Sequence, residues 1–207
     1  MIPSSPFLCV ITDEAFCPIT LAEEALKGGA AVIQLRHKTA SGSQLYSWAV
    51  EIRKLCRQYN ALCIINDRVD IALASDADGV HLGQDDLPAS AARKLLGNGR
   101  IIGVSASCAE EALQAEKDGA DYIGFGHIYP TISKLKEHAP LGLDALQQCV
   151  ELIALPVMAI GGINAENAPL LIARGASAAA VISAVSRAKE PSKATYELVC
   201  AIGAGRQ

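Results

Sequence analysis

Eight short apolar runs, spread along the whole chain and separated by stretches of helical period, limit the fold more than any other feature. They are Phe7–Ile11, Ala31–Leu35, Ala61–Ile65, Gly79–Leu82, Ile101–Val104, Tyr122–Phe125, Val157–Ile160 and Ala178–Ile182. Several are apolar at consecutive positions, the pattern of strands buried on both faces of a parallel sheet. The clearest intervening helix is expected from about Ser43 to Tyr59, with Leu45, Trp48, Ala49, Ile52, Leu55, Cys56 and Tyr59 on one face. Ser41-Gly-Ser-Gln44 supplies a capping-box pattern before it, and Ser107-Cys-Ala-Glu110 opens a second helix in the same way. Eight strand–helix units in 207 residues average about 26 residues each. Doubly wound sheets usually stop at about five or six strands, so the repeat predicts an α/β chain closed into a single, compact (β/α)8 TIM barrel. No linker, charge block or composition shift interrupts the repeat, and residues 1–207 are expected to form one domain.

Composition narrows the function classes. Eighteen basic against 22 acidic side chains give a formal charge of -4, which offers no electrostatic case for nucleic acid. No apolar run approaches the roughly 18 residues of a membrane span, since Pro156 and Gly161-Gly162 break the longest one, Leu152 to Ile163. The start, MIPSSPFLCV, lacks the basic region and long apolar core of a secretion signal, so the expected compartment is the cytoplasm. Seven cysteines at 9, 17, 56, 63, 108, 149 and 200 show no CxxC pair, which argues against a disulfide framework or a zinc site. Cys9 and Cys63 fall inside apolar runs and read as small core residues.

A (β/α)8 barrel carries its chemistry at the C-terminal strand ends, and the polar clusters fall there. Gln34, Arg36 and Lys38 follow the second run, Asn66-Asp67-Arg68 the third, and His81, Gln84, Asp85 and Asp86 the fourth. Ser105 ends the fifth; His127 and the loop Pro130-Thr131-Ile-Ser133-Lys134 follow the sixth. Gly161-Gly162 after the seventh run and Ser183 after the eighth stand where such barrels commonly bind phosphate, although a tight turn would also need glycines. Alternation places Gln34, Arg36 and Lys38 on one side if the strand runs that far, giving two cations for a second anionic group such as a diphosphate. Asp67 with Asp86, or with Asp85, suits Mg2+, and helix capping is the alternative for either. His81 fits an inward-facing, hydrogen-bonded barrel residue. Lys134, flanked by hydroxyls in a loop of about 15 residues, suits an anion clamp better than a Schiff-base nucleophile.

With these residues in place, the sequence resembles the thiamin phosphate synthase family and its relatives, the thiazole tautomerases, and stands closer to the synthases. The matching segments are QLRHK (34–38), NDR (66–68), DGVHLGQDD (78–86), GVS (103–105), ADYIGFG (120–126), PTISK (130–134), PLGL (140–143), PVMAIGGI (156–163) and VISAV (181–185). They run in the family order and cover nearly the whole chain. The resemblance implies a transferase that couples hydroxymethylpyrimidine diphosphate with thiazole phosphate, giving thiamin phosphate and diphosphate through a carbocation-like step. It implies Gln34, Arg36, Lys38, Asn66, Ser105 and Lys134 as holders of the pyrimidine diphosphate and Asp67 and Asp86 as Mg2+ ligands. Thr131, Ser133, Gly162, Ile182 and Ser183 would seat the thiazole phosphate. It leaves dimerisation open, and the sequence does not say whether Arg68, His81 or His138 touches substrate.

One position departs from the synthase pattern. Synthases usually carry proline or another non-titrating residue where this chain has His127, whereas tautomerases resemble it there and use the histidine as acid and base on a carboxythiazole phosphate. Tautomerases tend to lose the metal aspartates and the HLGQxD segment, and this chain keeps both. The synthase is therefore the expectation and the tautomerase the alternative.

Overall fold

The computed structural model describes residues 2–3, 6–131 and 139–205. Its eight strands are β1 (Phe7–Ile11), β2 (Val32–Leu35), β3 (Leu62–Asn66), β4 (Gly79–Leu82), β5 (Ile101–Ala106), β6 (Tyr122–Gly126), β7 (Val157–Ile160) and β8 (Ala178–Val181). All pair in parallel in chain order, and β8 closes on β1 with Phe7 opposite Ala178 and Val10 opposite Val181. The helices are α1 (Pro18–Lys27), α2 (Gly42–Gln58), α3 (Val69–Ala74), α4 (Ala89–Leu96), α5 (Ala109–Lys117), α6 (Gly142–Leu152), α7 (Ala168–Ala173), α8 (Ser183–Ser186) and α9 (Pro191–Ala204). This is the expected (β/α)8 barrel, with one helix beyond the simple repeat: α9 packs on α1, α7 and β1 and covers the seam where the barrel closes.

The consecutive apolar runs are explained by two cores. Leu8, Val10, Ile33, Leu35, Ile65 and Val80 point outward and pack under the helices. Phe7, Cys9, Val32, Ile64, Ile101, Tyr122 and Met158 point inward and fill the N-terminal half of the barrel. Because side chains alternate along a strand, the last inward positions of β2 to β5 carry Gln34, Asn66, His81 and Ser105. The barrel interior is thus apolar at one end and polar at the other, and the polar end is where the strands finish.

Local capping partly follows the sequence. The Ser41 Oγ accepts the Gln44 N–H at 3.2 Å and starts α2 as expected, but the helix ends at Gln58 and Tyr59 is its exposed C-cap. The second predicted box is different. Cys108 is the N-cap of α5, and it is Glu111, not Glu110, whose Oε2 accepts the N–H and the hydroxyl of Ser107 at 2.6 and 2.9 Å. Starting the helix one residue later shifts the reaching carboxylate by one. All seven cysteines are free thiols, with Cys9 and Cys63 buried. Among the described residues no helix is long and apolar enough to cross a membrane.

Candidate active site

A cavity with about 820 Å³ of space, the open solvent at its mouth included, lies at the C-terminal end of the barrel. One flank is built by β1 to β5. Gln34, only 3% exposed, donates from Nε2 to the Asn66 Oδ1 at 3.3 Å, so two inward amides hold each other across adjacent strands. β2 ends at Leu35, before the cationic residues. Thr12 carries the ladder one step further: its Oγ1 accepts the Arg36 N–H at 2.8 Å and donates to the Arg36 carbonyl at 2.9 Å. The expectation that Gln34, Arg36 and Lys38 share one side therefore holds only for the first two, which line the cavity. Lys38 lies past the strand end, is more exposed, and reaches over β3 to place its Nζ on Asp67 Oδ2.

Asp67 and Asp86 meet past the strand ends, beside Lys38. Burial is the largest cause that raises the Asp86 pKa, followed by the Asp67 carboxyl beside it; the Gly83 N–H and the nearby Lys38 oppose the shift. Neither aspartate caps a helix: the N-caps of α3 and α4 are Arg68 and Pro88, without side-chain caps, and Asp86 Oδ2 accepts the Gly83 N–H at 2.7 Å. Asp85 is exposed, whereas Asp86 is half-buried beside Asp67. Two carboxylates pressed together in partial burial repel each other, and a divalent cation would relieve that repulsion. Among the described residues no group of three or more His, Cys, Asp or Glu forms a metal cage. A carboxylate pair is instead the sparse donor set that suits Mg2+, which completes its shell with water and phosphate oxygens.

The loop after β1 contributes a residue that the strand-end survey missed. Glu14 Oε1 accepts the Arg36 guanidinium at 3.3 Å and the Lys38 backbone N–H at 3.0 Å, which fixes the loop carrying both cations. His37 accepts the Ala40 N–H at 3.1 Å and packs its ring 5.1 Å from that of Trp48. The signal was present, since Asp13-Glu14 follows the first apolar run as the other polar clusters follow theirs. Asp13 in turn accepts the Ser186 hydroxyl at 2.8 Å and ties this loop to α8.

The opposite flank is formed by β6, β7 and β8. Gly161, Gly162, Ile182 and Ser183 line the cavity, as do His127 and Thr131. Gly161 and Gly162 have φ of +102° and +66°, so the turn does require glycine. Packing requires it as well: a Cβ on Gly161 would stand 2.3 Å from His127 Cβ, and one on Gly162 2.4 Å from the Pro130 carbonyl. His127 is buried, and its carbonyl accepts the Leu141 N–H at 2.9 Å. Ser133, Lys134 and His138 lie outside the described residues. Arg68 turns away from the cavity and forks onto Asp70 at 2.8 and 2.6 Å, a surface ion pair. His81 is inward-facing and hydrogen-bonded, as expected, with Tyr122 on one nitrogen and Ser105 on the other.

The cavity thus presents Arg36 on one flank and exposed backbone with a hydroxyl on the other, with Gln34, Asn66 and Ser105 beneath, while Lys38, Asp67 and Asp86 gather past the strand ends, outside its lining. Known proteins resemble this chain along most of its length. The family model described as thiamine monophosphate synthase matches residues 8–185. A thiamine-phosphate synthase of Chlorobium limicola is 61% identical over 96% of this chain and 95% of its own length. One from Methanospirillum hungatei is 53% identical over 86% of this chain and 88% of its own. The solved thiamine phosphate pyrophosphorylase of Pyrococcus furiosus superposes with a TM-score of 0.91 at 43% identity, covering 99% of this chain and 98% of that one. A 3-hexulose-6-phosphate synthase, 20% identical with a TM-score of 0.74, shares the fold alone. The chain belongs to the thiamine monophosphate synthase family.

Proposed function

We propose that this chain is a transferase that joins the exocyclic methylene of hydroxymethylpyrimidine diphosphate to the ring nitrogen of a thiazole phosphate, forming thiamin phosphate and releasing diphosphate. The observation that carries the reading is the meeting of Asp67, Asp86 and Lys38 past the ends of the strands that bring Arg36 into a cavity whose other flank is Gly161, Gly162 and Ser183. Two anionic groups on two substrates need two stations, and the flanks supply them.

The bond from methylene carbon to oxygen breaks with its electron pair leaving on the diphosphate. The pyrimidine ring carries the resulting positive charge until the thiazole nitrogen donates its lone pair to the same carbon. Arg36 and Lys38 hold the departing diphosphate, Arg36 as a fork set by Glu14 and Lys38 as a point charge. Gln34 and Asn66 hold the pyrimidine beneath, and Ser105 donates from the barrel floor. Gly162, Ile182, Ser183 and Thr131 seat the thiazole phosphate, so that the nucleophile arrives from the other flank. Asp67 and Asp86 fit Mg2+, whose chemistry when bound is to neutralise charge on the diphosphate. Ser133 and Lys134 belong to the same reading as further contacts of the β6 loop. His127 is a cavity wall against Gly161. The isomerase alternative, with His127 as acid and base, has no use for the carboxylate pair or the cations.

The test is incubation of the purified protein with both phosphorylated substrates, with and without Mg2+, followed by quantification of thiamin phosphate and diphosphate. Equimolar, Mg2+-dependent products, abolished by a chelator and restored by added Mg2+, are expected. Folded protein that forms neither, yet isomerises a carboxythiazole phosphate without metal, would overturn the reading.

A further inference from the structure

A chain of hydrogen bonds runs up the inside of the barrel from its apolar plug to the cavity. Tyr122, the first residue of β6, is 4% exposed and its ring packs among Phe7, Ile101 and Met158. Its hydroxyl lies 2.9 Å from His81 Nδ1, and His81 Nε2 lies 2.9 Å from Ser105 Oγ, which lines the cavity. Two glycines clear the lane. A Cβ on Gly103 would stand 2.0 Å from Tyr122 Cζ, and one on Gly124 2.7 Å from His81 Cε1. Two strands, β5 and β6, thus give up a side chain so that a phenol, an imidazole and a hydroxyl can line up.

The direction of the chain follows from counting protons. Among the described residues the Tyr122 hydroxyl has one hydrogen-bonding partner, His81 Nδ1. Burial holds the phenol well above its ordinary pKa, so it keeps its proton. Were Nδ1 protonated, that phenolic proton would be buried with no acceptor, at a cost of about 1–3 kcal/mol. Tyr122 therefore donates to Nδ1, which puts the imidazole proton on Nε2 and makes His81 the donor to Ser105 Oγ. The Ser105 oxygen is then an acceptor toward the barrel floor, and its own proton is left to point into the cavity.

We propose that Tyr122 is a positioning residue for the transfer, one that acts through the His81 tautomer to fix Ser105 as a hydrogen-bond donor toward the departing diphosphate. The inference rests on the synthase reading, in which Ser105 contacts the pyrimidine diphosphate. A donor held in place before the reaction gains most where negative charge grows, so its loss falls on kcat more than on KM.

The first measurement needs no variant. Nitrogen-15 NMR of the wild-type protein with labelled histidine should show His81 protonated at Nε2 and bare at Nδ1; the opposite tautomer overturns the proposal. The second is a cycle of Tyr122→Phe, Ser105→Ala and the double variant, with thermal midpoints alongside. Tyr122→Phe should lower kcat about tenfold with KM for the pyrimidine diphosphate within about twofold. In the Ser105→Ala background the same change should alter kcat by less than about twofold. Equal losses in both backgrounds, or a lowered midpoint with unchanged kcat, would show that Tyr122 only packs. Wild-type protein that makes no thiamin phosphate overturns the synthase reading itself and the role of Ser105 with it, whereas an active wild type with additive losses overturns the inference alone.

Discussion

Asp67 follows β3 with a backbone φ of +62°, a left-handed conformation that costs most residues about 1–2 kcal/mol and that Asn and Asp tolerate best. Its N–H donates to the His81 carbonyl at 2.8 Å and so joins β3 to β4 beyond their last paired residues, while its carboxylate meets Lys38 and Asp86. One residue thus carries a backbone role and a charge role, and two substitutions separate them. Asp67→Asn keeps the left-handed preference and removes the charge: its thermal midpoint should stay within about 2 °C of wild type while Mg2+-dependent turnover falls more than about tenfold. Asp67→Ala loses both, and should lower the midpoint by a further 2–4 °C, about 1 kcal/mol for a chain of this size. Scanning calorimetry with a Mg2+ titration of activity reads the two effects independently. Equal midpoints for the two variants would remove the backbone role. That Asp67 belongs to the site was legible from the polar cluster after the third apolar run. That it turns left-handed was not, because the conformation is imposed by the β3–β4 connection and not by its neighbours in sequence. Glu14 and Tyr122 escaped for a related reason. Their partners Arg36 and His81 lie 22 and 41 residues away, distances that only strand pairing brings together.

At the scale of the element, strands read more clearly than helices because a strand buried on both faces leaves an unbroken apolar run. The differences fall at the ends: β3 reaches Asn66, β5 Ala106 and β6 Gly126, and within these extensions Asn66, Ser105 and Gly126 line the cavity. Those ends are polar or glycine because they serve the site, so hydrophobicity stops marking the strand before the backbone pairing stops. Helix starts depend on single hydrogen bonds. Ser41 provides one for α2, which carries Leu45, Ala49, Ile52 and Cys56 against the barrel. Ser41→Ala should therefore cost about 1 kcal/mol and lower the thermal midpoint by about 2–4 °C. Activity at low temperature should be unchanged, since α2 touches the cavity through no side chain named among its lining. A midpoint that does not move would mean that burial of the α2 face, not the cap, sets where the helix begins. At α5 the corresponding prediction passes from Glu110 to Glu111, whose Oε2 takes both Ser107 donors.

Across the whole molecule, the two ends of the barrel divide the work, and repeated aspartates mark the end opposite the cavity. Asp78 stands immediately before β4 and accepts the N–H of Cys63 in β3 at 2.8 Å, while Arg53 of α2 pairs with its other oxygen at 3.0 Å. Asp121 stands immediately before β6 and accepts the N–H of Ile102 in β5 at 2.7 Å, while Arg93 of α4 pairs with the same carboxylate at 2.7 Å. The device is the same in both places: a carboxylate just before one strand holds the amide of the second residue of the preceding strand and anchors a helix. Each fixes the register between two strands, and register decides which side chains face inward. Without Asp78 the Cys63 amide would be buried and unmet, which costs about 1–3 kcal/mol. Asp78→Ala and Asp121→Ala should each lower the thermal midpoint by at least about 2–4 °C, and because the sites are separate their losses should add in the double variant. Turnover by the folded fraction should persist in both, since neither residue approaches the cavity. Lys38→Ala should do the reverse: a large loss of kcat with little change in midpoint, its pairing with Asp67 being half-exposed. Unfolding curves and steady-state rates measured on the same preparations would place each variant on one axis or the other. A kcat that falls in proportion to stability for Asp78→Ala would mean that the register held at the N-terminal end is transmitted along β3 and β4 to Asn66, Asp67 and His81, and that the two ends of this barrel are mechanically one.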